Sequence, residues 1–257
     1  ARIGRTMTEP APPGNRWLAY AVHGYTASGL VFAMLAALEI CAANPDPRRV
    51  FLWFLIATLI DATDGTLARR FHTKTLAAAI DGRTIDDIID FLTFTFLPLM
   101  LVAKMGWLPE PALLFVGPAL IASVLGFANV KAKDENGGFF LGFPSYWNIV
   151  AFYMGLTANA YGGWPNALAM LGLAALTLAP VGFFYPNLAP PRWRQSILIG
   201  AAIWLAIVLA MLPQYPHPPG WLLALSLVYP VFYTGVSLYE YNRYSRRHAE
   251  GERSTDS

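Results

Sequence analysis

Long apolar stretches alternate with short polar punctuation along nearly the whole chain. Runs of roughly 17 to 25 residues, the length a helix needs to cross hydrocarbon, fall at 17–42, 50–69, 86–104, 111–129, 144–161, 165–185, 196–212 and 220–240. The pattern predicts about eight transmembrane helices. The connections carry turn chemistry: Asn44-Pro45-Asp46-Pro47, Pro109-Glu110-Pro111, Gly137-Gly138, Gly162-Gly163-Trp164-Pro165, Pro190-Pro191 and Pro216 through Gly220. None is long enough to fold alone, and none shows the alternation of a strand. The expected fold class is all-α, a polytopic membrane helix bundle, with a membrane domain over 1–242 and a charged cytoplasmic tail over 243–257.

Composition fits a chain whose main solvent is lipid. Hydrophobic residues make up 56%, charged residues only 13%, and the mean hydropathy is +0.43, all outside the range of an ordinary soluble domain. The single cysteine, Cys41, cannot form an internal disulfide and says little about redox compartment. The first fifteen residues are polar and Pro-rich without a signal-peptide core, so the first apolar run is expected to be a retained span.

Basic residues then orient the bundle. With the N-terminus cytoplasmic, that side holds Arg2, Arg5, Arg16, Arg69, Arg70, Lys74, Arg83, Lys131, Lys133, Arg192, Arg194, Arg243, Arg246, Arg247 and Arg253, fifteen in all, against three opposite, Arg48, Arg49 and Lys104. This bias satisfies the positive-inside rule and requires an even number of spans. It also suits the anionic headgroups of the cytoplasmic leaflet. Both termini are therefore expected in the cytoplasm.

Against this background the aspartates stand out. Asp61 and Asp64 end the second span, and Asp86 and Asp90 begin the third, in the pattern Asp61-x-x-Asp64-Gly65-x-x-Ala68-Arg69, twelve residues, Gly82-x-x-x-Asp86-x-x-x-Asp90. Carboxylates are costly at membrane depth without partners. The i, i+3 and i, i+4 spacings place each pair on one helical face, and four converging acids call for protons or cations. With no Cys or His at ligand spacing, the oxygen-only set selects a hard ion such as Mg²⁺, Mn²⁺ or Ca²⁺. Two such ions would hold a diphosphate and offset charge during displacement at phosphorus. Gly65 and Gly82 permit close approach of a phosphate or nucleotide, and Arg69 adds a fork of donors for a phosphate oxygen. Asp81 reads as a helix cap and Asp87 as turned off the shared face.

These residues resemble the signature of the CDP-alcohol phosphotransferases, integral membrane enzymes of phospholipid synthesis. The spacer between Arg69 and Gly82 is longer than is usual there. That spacer, the additional spans and the segment Gly142 through Tyr153 are similar to the bacterial branch of the family whose acceptor is choline. The resemblance implies a CDP-alcohol phosphotransferase fold, with CDP-diacylglycerol and choline as substrates, phosphatidylcholine and CMP as products, and location in a bacterial inner (cytoplasmic) membrane. It further implies Asp61, Asp64, Asp86 and Asp90 as ligands of Mg²⁺ or Mn²⁺, Asp90 also as general base, Gly65, Ala68 and Gly82 as nucleotide contacts, and Arg69 facing phosphate. Related enzymes are homodimers, so a homodimer is expected, and nucleic acid is not among the expected partners. The loop from Arg70 to Asp81 has no secure counterpart.

A quaternary ammonium donates no hydrogen bond, so aromatic faces and nearby negative charge must recognise it. Tyr146 and Trp147 open the fifth span with Asn148 beside them, and His23 lies near the motif's depth; these four are the candidate choline contacts. Interfacial belts also enrich Trp and Tyr. Thr26 and Ser28 are candidates to reach the nucleotide. Serine, glycerol phosphate and inositol phosphate are alternative acceptors, although only Arg69, Lys74, Lys131 and Lys133 are near enough to receive a phosphorylated one. A cation transporter is the alternative of another class, but it leaves Gly65, Arg69 and Gly82 without a role, and no inverted repeat of the aspartate pattern is present.

Overall fold

The computed structural model describes residues 14–129, 133–134, 138–184 and 189–255, with 133–134 and 247–255 described by backbone alone. Arg2, Arg5, Lys131 and the side chains of Lys133, Arg247 and Arg253 lie outside what is described. Eleven α-helices account for most of the described chain: α1 Arg16–Ala27, α2 Gly29–Cys41, α3 Pro47–Arg70, α4 Thr73–Leu76, α5 Gly82–Asp90, α6 Leu97–Lys104, α7 Leu113–Ala128, α8 Trp147–Tyr161, α9 Trp164–Thr177, α10 Pro191–Met211 and α11 Gly220–Thr255. The eight apolar runs fall mainly on helix, the run 165–185 passing from α9 into residues 182–184 of a short strand.

Four helical segments among the described residues are long and apolar enough to cross a membrane: Arg16–Cys41, Pro47–Arg70, Pro191–Gln214 and Gly220–Arg246. The remaining rods are shorter or interrupted. The first run breaks between α1 and α2 at Ser28, whose hydroxyl donates to the Tyr25 carbonyl at 2.6 Å. The third run starts earlier than hydropathy indicates, at Gly82, because the polar turn is capped: the Asp81 carboxylate accepts from the Arg83 amide at 3.1 Å and the Thr84 hydroxyl at 2.8 Å. Those donors, Thr84 first, hold the Asp81 carboxyl below its ordinary range. Between α5 and α6 the helix widens into a π-helical turn, Phe91–Phe96, which shifts the phase of every later side chain.

One feature of the chain differs from the sequence expectation. Three short strands, β1 Lys133–Asp134, β2 Phe139–Leu141 and β3 Gly182–Phe184, form an antiparallel sheet in that order, with Phe139 opposite Phe184 and Leu141 opposite Gly182. Two or three residues are too few to show alternation, so hydropathy cannot reveal them. Their Phe139 and Phe184 rings stack at 4.7 Å and meet Tyr241 and Tyr244 of α11, tying the sheet to the last helix pair. The backbone of α11 also runs through residue 243 to Thr255 without a break.

Where water is absent, helices associate through close packing rather than hydrophobicity. Buried Ala33 and Ala36 bring α2 against Phe51 and Phe54 of α3, while Ala119 and Ala122 of α7 face Ala167 and Ala174 of α9. At the centre, the Phe51 ring lies 5.3 Å from Phe152 and 5.2 Å from Tyr215, both edge-on, the arrangement aromatic quadrupoles favour. Glu39 accepts the Asp46 amide at 3.0 Å, so this membrane acid closes the α2–α3 connection. Gly142, at φ +90, lies so close to the Thr177 backbone carbonyl that a side chain has no room.

Asn166 is almost fully buried, and its amide donates to the carbonyls of Trp107 at 2.9 Å and Met154 at 2.8 Å. Asn166→Ala removes two buried hydrogen bonds, so unfolding in detergent should become easier by about 1–3 kcal/mol. A thermal midpoint equal to that of the wild type would remove this residue from the packing argument.

Candidate active site

The acids sit where α3 ends and α5 begins. One carboxylate oxygen from each of Asp61, Asp86 and Asp90 lies within 4.8 Å of the others, and all three side chains are half-buried. Oxygens bound to one hard divalent cation at about 2.0–2.6 Å fall within such a separation. The donor set is all carboxylate, and among the described residues no Arg, Lys or His is within ion-pair distance of Asp61, Asp64 or Asp90. The residues therefore fit a hard divalent cation.

Asp64 stands apart from this trio. Three positions beyond Asp61, it is rotated by about 60° on the same helix and turns toward α1. It is 6% exposed and lies near Thr26 of α1, whose hydroxyl donates to the Val22 carbonyl at 3.3 Å. Sequence spacing alone groups four acids; the fold joins three and places the fourth against α1. Asp87 points elsewhere, 3.7 Å from Arg83 on its own helix.

Close approach of α1 to α5 explains the glycine. A Cβ on Gly82 would meet His23 Cε1 at 2.8 Å and Nδ1 at 3.0 Å, and one on Gly29 would meet Ile89 Cγ2 at 2.9 Å. These two contacts make α1–α2 and α5 run parallel, which sets Thr26 level with Asp86. His23, 7% exposed, lies one turn further toward the Gly82 end. Gly65 is half-buried, and the Arg69 guanidinium folds back over it, 3.6 Å from where its Cβ would be, while Nη2 donates to the Thr66 hydroxyl at 3.2 Å. Ala68 is half-buried beside them. Ser28 remains at the α1–α2 break.

The aromatic candidates separate. Tyr146 is half-buried, its ring 6.0 Å from Phe94, one turn deeper than Asp90. Asn148 donates to the Thr58 hydroxyl at 3.4 Å, close to one turn deeper than Asp61. Trp147 instead belongs to the core: it is 1% exposed, its indole N–H donates to Ser123 at 2.8 Å, and Phe143 packs on its ring at 5.4 Å. A ring covered on this scale presents no open face to a cation. Phe94 escaped the sequence reading because its pairing with Tyr146 depends on how two helices meet.

Proteins named phosphatidylcholine synthase resemble this chain along most of its length. The Pseudomonas aeruginosa protein is 35% identical over 231 residues, 88% of this chain and 93% of the relative. That of Bradyrhizobium diazoefficiens is 34% identical, covering 84% of this chain and 79% of the relative, and that of Legionella pneumophila is 31% identical over 86% and 88%. The chain belongs to the phosphatidylcholine synthase family. It is accordingly an enzyme of the phosphatidyltransferase class. No family model matches the sequence, and no solved structure matches the fold.

The geometry sets an order of effects on metal binding. Mn²⁺ bound to purified protein, followed by electron paramagnetic resonance, should weaken ten-fold or more in each of Asp61→Asn, Asp86→Asn and Asp90→Asn. Asp87→Asn should stay within about two-fold, since that carboxylate faces Arg83. Equal weakening by all four would mean bulk charge, not the cluster, holds the ion.

Proposed function

We propose that the chain transfers the phosphatidyl group of CDP-diacylglycerol to choline and releases CMP, working at the cytoplasmic end of an eight-span bundle in a bacterial inner membrane. The observation that carries this reading is the convergence of Asp61, Asp86 and Asp90 within 4.8 Å in a chain of the phosphatidylcholine synthase family. The bias of basic residues supports cytoplasmic termini, and a homodimer remains part of the reading through the family resemblance.

In this reading Asp61, Asp86 and Asp90 hold Mg²⁺ or Mn²⁺, and Asp64, next to Asp61, completes the place for a second ion. Bound divalent ions supply charge neutralisation for the diphosphate as the bond to CMP lengthens. Everything else comes from the chain. Gly65, Ala68 and Gly82 leave the backbone accessible to the nucleotide, with Thr26 and Ser28 lining its approach, and the exposed Arg69 fork takes a phosphate oxygen. Asp90, one helical turn before Phe94, accepts the proton of the choline hydroxyl as its oxygen attacks phosphorus. The new P–O bond joins choline to the phosphatidyl group, and the old one leaves with CMP.

Choline sits beneath the acids in this arrangement. Its methylated cation meets the faces of Tyr146 and Phe94, while the carboxylates above contribute negative charge. Asn148 borders the same region through Thr58. Ethanolamine's strongly hydrated ammonium finds too few acceptors there, so selection falls on choline.

Purified enzyme given CDP-diacylglycerol, Mn²⁺ or Mg²⁺ and a panel of alcohols should release CMP in proportion to new phospholipid, with choline preferred and chelators abolishing turnover. Gradient-driven cation uptake into vesicles with no CMP from any alcohol would overturn the transferase reading. A second measurement concerns the rings. Tyr146→Ala should raise the choline KM about five- to thirty-fold, the worth of a partly desolvated cation–π contact, leaving the CDP-diacylglycerol KM nearly unchanged. Trp147→Ala should instead lower stability by about 3–5 kcal/mol, because its ring fills the core. An unchanged choline KM in Tyr146→Ala would move the cation site elsewhere.

A further inference from the structure

Ser145 holds its backbone where a serine rarely rests. Its φ is +56, in the left-handed region where a Cβ crowds the neighbouring carbonyl, so glycine or asparagine is the usual occupant. The residue is 3% exposed, and neither substrate contact nor metal binding accounts for it. Strain of this kind persists only where the surroundings over-determine it, and such positions gather at functional sites.

Here the surroundings act from both sides. Upstream, the Gly142 amide donates to the Val181 carbonyl at 2.7 Å and the Phe143 amide to that of Leu176 at 3.1 Å, and the ring of Pro144 fixes the next φ. Downstream, the Trp147 amide donates to the Ser145 carbonyl at 2.8 Å. Ser123 of α7 closes the turn. It is fully buried, and its oxygen accepts the Ser145 hydroxyl at 3.1 Å and the Trp147 indole N–H at 2.8 Å. One oxygen thus grips the residues immediately before and after Tyr146.

The consequence is geometric. Adjacent residues of a helix point roughly 100° apart. With Trp147 pinned to α7, the start of α8 cannot turn about its own axis, and the Tyr146 ring keeps the one direction in which it lies 6.0 Å from Phe94. A right-handed backbone at Ser145 would bring the chain into α8 at another angle.

We propose that Ser123 is a positioning residue of the acceptor site: it touches neither substrate, but by holding Ser145 and Trp147 it fixes the Tyr146 ring against Phe94 for the choline cation. The left-handed turn at Ser145 is strain kept for that alignment. This inference rests on the reading of Tyr146 as a choline contact.

The test is the KM for choline and for CDP-diacylglycerol, measured separately on purified full-length enzyme. Ser123→Ala should raise the choline KM about five-fold, part of the worth of the whole cation–π contact, and leave the CDP-diacylglycerol KM within about two-fold. Ser145→Gly takes up the positive φ freely and so keeps the fold while losing its bond to Ser123; it should raise the choline KM about three-fold. A merely structural role would lower the folded fraction, and with it the apparent kcat, without moving one KM alone. In the double variant Ser123→Ala with Tyr146→Ala, the choline KM should be no higher than in Tyr146→Ala by itself, because the serine acts through the ring. A choline KM unchanged in both Ser123→Ala and Ser145→Gly, a rise shared equally by both substrates, or effects that multiply in the double variant would overturn the proposal while Tyr146 keeps its role. A choline KM unchanged in Tyr146→Ala overturns the choline reading of that ring and this inference with it.

Discussion

Three carboxylates held within 4.8 Å of one another repel, and the arrangement around them answers that repulsion. At an effective dielectric near 20, one such pair of like charges costs about 3–4 kcal/mol. No cationic side chain among the described residues pairs with Asp61 or Asp90, although Arg69 and Arg83 are close in sequence. The bundle keeps its nearby cations on other partners: Arg69 leans over Gly65 onto Thr66, and Arg83 meets Asp87. Such a cluster could hold a cation from outside the chain, whose affinity would come from charge that folding brought together.

Holding the acids there requires helices that approach closely. Gly82 lets His23 of α1 press on α5, and Gly29 does the same for Ile89. The result is a three-helix corner in which Thr26 of α1 lies near Asp64, α3 carries Asp61 and Asp64, and α5 presents Asp86 and Asp90. A side chain at Gly82 would wedge α1 away and uncover Asp64. Below this corner Phe94, within the π-helical turn at Phe91–Phe96, meets Tyr146, and an aromatic level thereby lies beneath the carboxylates. Above it, the Arg70–Asp81 spacer folds onto α1, and a cleft lined by Arg16, Tyr20, Thr75, Leu76, Ala78 and Ala79 opens between them.

The distant half of the chain is a frame for that corner. Small residues let α7 and α9 interlock, Asn166 staples the loop after α6 to α8, and Trp147 fastens α8 to Ser123 of α7. The α10–α11 pair joins through the Phe139–Phe184 stack and through Glu240, which pairs with Arg192 and accepts the Trp193 indole N–H. Each is a polar or aromatic contact placed where hydrophobicity gives helices no reason to prefer one another over lipid.

Much of this was legible in the residues themselves. Hydropathy marked every run that became helix, because a chain immersed in lipid must satisfy its backbone internally. The i, i+3 and i, i+4 aspartates announced a carboxylate cluster, because helical spacing is a local property. Asp81 as a cap and Asp87 as an outlier were equally local. Tertiary structure decided what depends on how helices meet: that Asp61, Asp86 and Asp90 form the tight cluster while Asp64 turns to Thr26, that Trp147 is core and Tyr146 is not, and that a three-stranded sheet ties the last helices down. Spacing along one helix sets only the direction of a side chain, whereas distance across two helices depends on their crossing, set here by glycines whose significance lies in the neighbour each one admits.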